Sequence, residues 1–241
     1  MFKIFLLLNL LTVFLYSNEN FKINKVERKL INPSGSLEMA FEHHVKINEN
    51  DKHSSYLNAS YSLNDNLELV PFGVNYLFIN SPRSDYLVGL RYLGTSIKTG
   101  AGSSNEIQGK IQGKNRFIED KFALKYHALF TYAYNTSNSI SNGKMFELSF
   151  EPIITLNDYL SIGITMKYIE AINDFNSNEK TKHYDAGCNL YMSVNKNIEF
   201  NLKYEYFKNL NNSIPAFNLN GYNFYDDGGQ LLLFGKIRFF F

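Results

Sequence analysis

The residues best suited to acid–base or metal chemistry are five histidines: His43, His44, His53, His127 and His183. Their spacing matches no metal-ligand pattern and no catalytic motif. A nucleophilic enzyme needs a serine beside a base. The densest serines are Ser137, Ser139 and Ser141, in a polar stretch that reads as a loop. The glycine-rich GAGSSN at 100–105 has no strand–helix context and is no phosphate cradle. The single Cys188 excludes an internal disulfide and a cysteine-rich metal site. No catalytic residue, metal site or cofactor is expected.

The remaining chemistry is charge. Glu38, Glu42, His44 and Lys46 share one face of a segment, and Arg91, Lys125, His127, Glu147, Glu151, Lys167, Asp185, Lys203, Glu205, Lys236 and Arg238 sit at equivalent positions elsewhere. Both signs are interleaved. Such charges, once enclosed, must pair or be hydrated.

The elements that position them are strands. In KFALKYHALFTYAY (121–134), Phe122, Leu124, Tyr126, Ala128, Phe130, Tyr132 and Tyr134 alternate with Lys121, Ala123, Lys125, His127, Leu129, Thr131 and Ala133. Side chains leave a strand on opposite faces, so a period of two marks one. The pattern returns at 160–168 and 198–206. Strands are predicted at 35–47, 54–63, 67–79, 85–97, 121–135, 143–155, 159–171, 183–194, 198–208 and 229–241. These are long for a soluble protein and suit a tilted bilayer crossing. Pro71 and Pro152 each remove a ladder donor, so bulges or strand ends are expected there.

The connections fall into two kinds. Leu63-Asn-Asp-Asn-Leu-Glu-Leu69 recurs as Leu156-Asn-Asp-Tyr-Leu-Ser-Ile162, as Val194-Asn-Lys-Asn-Ile-Glu-Phe200 and, loosely, as Ile118-Glu-Asp-Lys-Phe-Ala-Leu124. Asn and Asp tolerate left-handed backbone, so these are tight hairpins. Residues 48–53, 80–84, 136–142, 173–182 and 209–228 are longer and polar, and define the opposite side. Thr99 to Phe117 alternates poorly and its glycines weaken a strand. It is left out of the count, giving about ten strands. Twelve is the alternative, using 105–117 and 20–31.

The chain of 241 residues carries 24 basic and 23 acidic side chains, a balance that argues against nucleic acid. Lys3, an apolar run from Ile4 to Tyr16 and Ser17 have the layout of a secretory signal peptide, 1–17. Residues 18–34 then read as a periplasmic lead-in and 35–241 as one domain. The face opposite the apolar one carries Gly89, Thr95, Ala123, Ser149, Gly163, Thr165 and Asn189. Small neutral residues suit the inside of a narrow barrel, which turns the apolar face to lipid. Tyr76, Phe78, Tyr86, Tyr132, Tyr134, Phe146, Tyr168, Tyr184, Tyr204 and Tyr206 would then form a girdle at the outer ends of their strands.

With this hairpin series and the last strand, Gln230-Leu-Leu-Leu-Phe-Gly-Lys-Ile-Arg-Phe-Phe-Phe241, the chain resembles the small outer-membrane β-barrel proteins of Gram-negative bacteria. The resemblance covers the whole chain after the signal segment and is one of architecture: an all-β, transmembrane, up-and-down antiparallel barrel. It implies outer-membrane lipid as a partner, and terminal Phe241 as a signal to the barrel-assembly machinery. The expected function is non-enzymatic, a structural barrel or narrow polar channel. The alternatives are a surface-binding protein using loop 209–228 with Phe217, Tyr222, Phe224 and Tyr225, and an outer-membrane lipid hydrolase. Three contacts are expected: Glu147 opposite Lys167, Glu38 beside Arg238 where the first and last strands close the barrel, and Leu37 beside Phe239.

Overall fold

The structure is a computed structural model that describes residues 24–47, 53–96, 103–135, 142–173, 180–210 and 228–241. Twelve strands form one closed antiparallel barrel: β1 Ser36–Lys46, β2 His53–Asn64, β3 Leu67–Val70, β4 Gly73–Asn80, β5 Ser84–Ser96, β6 Ser103–Ile118, β7 Phe122–Asn135, β8 Gly143–Asn157, β9 Leu160–Asn173, β10 Lys180–Ser193, β11 Ile198–Asn209 and β12 Gly228–Phe240. Each strand pairs with its chain neighbours, and β1 pairs with β12 to close the circle. Closure removes the edges that a bilayer cannot hydrate.

The count of ten is corrected to twelve, the stated alternative: its segment 105–117 is a strand, but the other extra strand comes from 67–79 rather than 20–31. The segment 103–118 is β6, the longest strand at 16 residues. The run 67–79 is not one strand but a hairpin, β3–β4, turning at Pro71-Phe72. Phe72 takes φ 56 there, and Pro71 precedes it where its fixed φ suits a turn. His53 opens β2 rather than sitting in a loop. Pro152 makes neither a bulge nor an end: β8 runs through it and holds the same register to β9 on both sides, from Phe150↔Met166 to Ile153↔Gly163.

All four copies of the Asn/Asp repeat are tight turns at one rim of the barrel. The 80–84 connection joins them on that rim, as Ser81 N–H to Ser84 carbonyl closes it. It is therefore not one of the opposite loops. Tyr76, Phe78 and Tyr86 consequently sit toward the short-turn rim, with the ring of Tyr126 edge-on to Tyr86 at 6.3 Å. Tyr92, Tyr132, Tyr134, Tyr168, Tyr184, Tyr204 and Tyr206 lie toward the other rim. There are two aromatic belts rather than one, as at both interfaces of a bilayer barrel.

The apolar face points outward. Phe41, Val88, Leu90, Ile111, Phe130, Phe150, Ile164, Met166 and Phe200 are all exposed, whereas Glu68, Asp85, Glu106, Glu147, Glu151, Asp185, Glu199, Glu205 and Arg238 are buried. Cys188 is on the outer face. The barrel is thus inside out relative to a soluble one: its packed interior is polar.

Candidate functional site

The seam between β1 and β12 closes the barrel. Ser36↔Phe240, Leu37↔Phe239 and Glu38↔Arg238 are Cα partners. Arg238 Nε lies 2.7 Å from Glu38 Oε2, and Lys236 Nζ lies 2.9 Å from Oε1. Arg238 also reaches Glu199 at 3.1 Å. The lumen is therefore tied across the closure by alternating charges.

Residues 24–33 continue this network into the lumen. This described part of the lead-in lies inside the barrel. Asn24 and Arg28 close one tight turn through an Arg28 N–H to Asn24 carbonyl bond of 3.0 Å. Val26, fully buried, packs on Ala123 and Ile153 of β7 and β8. Ile31 packs on Leu77 and Leu87 of β4 and β5. The segment thus spans the lumen from wall to wall at the short-turn rim.

Polar contacts fix it between these two apolar anchors. Lys114 Nζ donates to the carbonyls of Lys25 and Arg28 at 2.6 and 2.7 Å. Arg116 donates to the carbonyls of Val26 and Arg28 at 3.0 and 2.9 Å, and to Asp85 at 2.6 Å. A single turn leaves its last carbonyls without partners, and these two cations supply them. Glu199 is the counter-anchor: it pairs with Lys25 at 2.8 Å, with Arg28 and with Arg238. Lys29 joins Asp85 at 3.1 Å.

Above the plug, the other inward charges form two linked groups. Lys167 bridges Asp185 and Glu205 at 2.8 Å each, and Glu205 also pairs with Lys203. Glu151 takes Lys125 at 3.4 Å, Asn189 at 2.5 Å and the Tyr191 hydroxyl. His127 Nε2 lies 2.5 Å from Glu147. Lys25, Lys125, Lys167, Lys203 and Lys236 face Glu151 and Glu199 around a cavity of about 230 Å³ between plug and wall.

Toward the loop rim, His44 meets Glu42 and Arg91 Nε bonds Gln108 at 2.7 Å. Inward side chains there also include an apolar patch: Leu129, Ala133, Met145, Ile169 and Ala171. The expected facing holds, but one expected partner does not. Glu147 is opposite Ile169, and Lys167 is opposite Ser149. The β8–β9 turn falls at Asp158-Tyr159 with a register shift between Thr155 and Asn157, which displaces the pairing by two residues. A two-residue slip keeps every side chain on its face.

Glu199, Asp85, Lys114, Arg116, Lys25 and Arg28 were not among the residues singled out by sequence, though they hold the plug. In β6 a signal existed: Glu106, Gln108, Lys110, Gln112, Lys114 and Arg116 are an unbroken polar alternation. Among the described residues, no three His, Cys, Asp or Glu side chains stand together as metal ligands. Residues 1–17, Ser137, Ser139, Ser141 and the loop residues Phe217, Tyr222, Phe224 and Tyr225 lie outside the described residues.

No family model matches the chain, and no curated protein matches it. Solved structures do. The chain is similar to an outer membrane channel from Pseudomonas putida F1, at TM-score 0.56 and 9% identity, over 93% of this chain and 100% of that one. Its fold is that of an outer-membrane β-barrel. A bacterial polysaccharide outer membrane secretin is also similar, at TM-score 0.50 and 10% identity, over 88% of this barrel and 99% of that chain. At such identities the likeness is one of fold.

Proposed function

We propose that this chain is a non-enzymatic outer-membrane barrel that works as a narrow polar channel, with residues 24–33 as its internal plug. The plug is the observation that carries the reading. An eight-stranded barrel fills its interior with wall side chains, and sixteen strands leave an aqueous channel. Twelve strands lie between, and here part of the lumen is filled by a separate stretch of chain. Two apolar anchors and a set of buried ion pairs hold that stretch as a piece distinct from the wall. Its fold supports an outer-membrane location. Phe241, exposed at the short-turn rim and bonded through its N–H to Gly35, suits a terminal assembly signal, and the apolar outer face suits lipid as the partner.

Planar-bilayer recording tests this. The intact barrel should show small or no conductance, and deletion of residues 24–33 should give larger, stable single-channel steps. Lys114→Ala with Arg116→Ala should reproduce part of that increase. A folded deletion variant that stays silent would leave a non-conducting structural barrel.

A further inference from the structure

The wall has a notch. Strands other than β3 and β4 run 11 to 16 residues, whereas β3 has 4 and β4 has 8. The β3–β4 hairpin therefore stops at Pro71-Phe72, partway up the barrel. β3 pairs with β2 only up to Tyr61↔Leu69, and β4 with β5 only up to Gly73↔Arg91. Beyond those pairs, β2 has β1 on one side and, among the described residues, no ladder on the other. Tyr56, Leu57, Asn58 and Ala59 are exposed in succession, which alternating burial of a paired wall strand would not produce. With strands about 4.8 Å apart, two missing strands leave roughly 14 Å between β2 and β5.

A cavity of about 180 Å³ lies behind the hairpin tip. Leu90, which faces outward on β5, and Leu129, which faces inward on β7, both line it. The cavity therefore lies at the notch, with Leu90 the one clearly outward position in its lining, between Gly89 and Arg91. Val70 completes its apolar side; Asn75, Arg91, Gln108, Lys110 and His127 form the polar side, and no carboxylate lines it, although one Gln108 N–H reaches Glu106 at 3.3 Å behind it. Lys110 has no ion-pair partner among the described residues. Glu68 acts on it electrostatically, but the Glu68 carboxylate is already bonded to Ser60 and Asn75 at 3.0 and 2.8 Å. Inside, Leu129 continues into the apolar patch of Met145 and Ile169.

We infer that the notch is a side portal, and that the cavity behind it binds a small apolar monocarboxylate passing between lumen and bilayer. The size sets the class: a dry cavity of about 150 Å³ holds a benzene ring, so this one takes a single ring or a short chain. The apolar side receives that body, and Lys110 with Gln108 receives the carboxylate. An inorganic anion would leave Val70, Leu90 and Leu129 unused.

Benzoate and its neutral counterpart benzyl alcohol are the probes, titrated by calorimetry into the full-length folded protein in detergent. Benzoate should bind saturably. Lys110→Met should weaken it about tenfold, the loss of one charge-assisted hydrogen bond, and leave benzyl alcohol unchanged. Gln108→Leu should weaken benzoate in the same sense. No saturable benzoate binding, or no effect of either variant on it, overturns the site. The chain has no tryptophan, so single tryptophans report on the portal in brominated-lipid vesicles. Leu129→Trp should be quenched nearly as strongly as lipid-facing Phe130→Trp, and Phe234→Trp, inward on the last strand, should not. Leu129→Trp quenched no more than Phe234→Trp overturns the portal. Only the passage between lumen and bilayer rests on the channel reading. If the plug-deleted barrel is silent while benzoate binds and Leu129→Trp is quenched, that reading fails and the portal stands.

Discussion

The two ends of the lumen are built on different principles. At the short-turn rim, charges are dense, buried and multiply paired: Glu199 alone serves Lys25, Arg28 and Arg238. At the loop rim, the described inward side chains include the apolar Leu129, Ala133, Met145, Ile169 and Ala171 and the half-buried pair Glu42–His44. The difference follows from what each end holds. The short-turn rim must hold a piece of backbone whose carbonyls need donors, and hydrogen bonds from Lys114 and Arg116 supply them. Among the described residues the loop rim holds no such piece, and its described wall presents apolar surface to the lumen.

The largest expected effect breaks the comparison at its strongest point. Glu199→Gln removes the buried carboxylate that Lys25, Arg28 and Arg238 share, leaving Arg238 its pair with Glu38, and should cost about 3–5 kcal/mol. The reading is urea-induced loss of the compact, heat-modifiable form. A cost near zero would mean that the short-turn rim is as wet as the other.

A smaller effect tests that the lumen is an inside at all. Ile164 is exposed and Thr165 buried beside it on β9. Ile164→Arg should cost about 2–4 kcal/mol in lipid, the price of a charge near the midplane, and lower assembly in vesicles; Thr165→Arg should be better tolerated. Equal yields of folded protein from both would remove the distinction between faces.

The smallest effect sharpens the contrast from the other end. Glu42→Gln at the loop rim should cost about 1 kcal/mol or less, because its pair with His44 is partly exposed to lumen water. Measured beside Glu199→Gln under the same denaturant, it should be several-fold smaller. Comparable losses would erase the gradient along the lumen.

Much of the wall was legible because strand faces are a local property. The alternation in 121–134 placed His127 and Lys125 inward without knowledge of any neighbour. The Asn/Asp repeats marked four hairpins because the backbone they need favours those residues. The Glu38–Arg238 seam was legible for a less local reason: both ends of an even-stranded barrel start from one rim, so aligning residue 35 with residue 241 sets the register. β6 was lost because Gly109, Gly113, Asn105 and Asn115 dilute its outward face, although its inward face kept perfect alternation.

What tertiary structure alone decided lies where one segment's fate depends on another's. Pro71 announces a break, but whether the chain bends, bulges or reverses depends on which strands stand on either side; here β2 and β5 accept a half-height hairpin. The Glu147–Lys167 pairing failed because a two-residue slip leaves every face unchanged, so hydrophobic patterning cannot detect it. The plug is the clearest case. Asn24 to Pro33 carries no periodic signal, and its order comes from donors on β6, a carboxylate on β11 and apolar contacts on β4, β5, β7 and β8. Sequence by itself determined which side meets lipid in most of the strands it marked, since that is written in single residues; the lumen's contents required the barrel to close first.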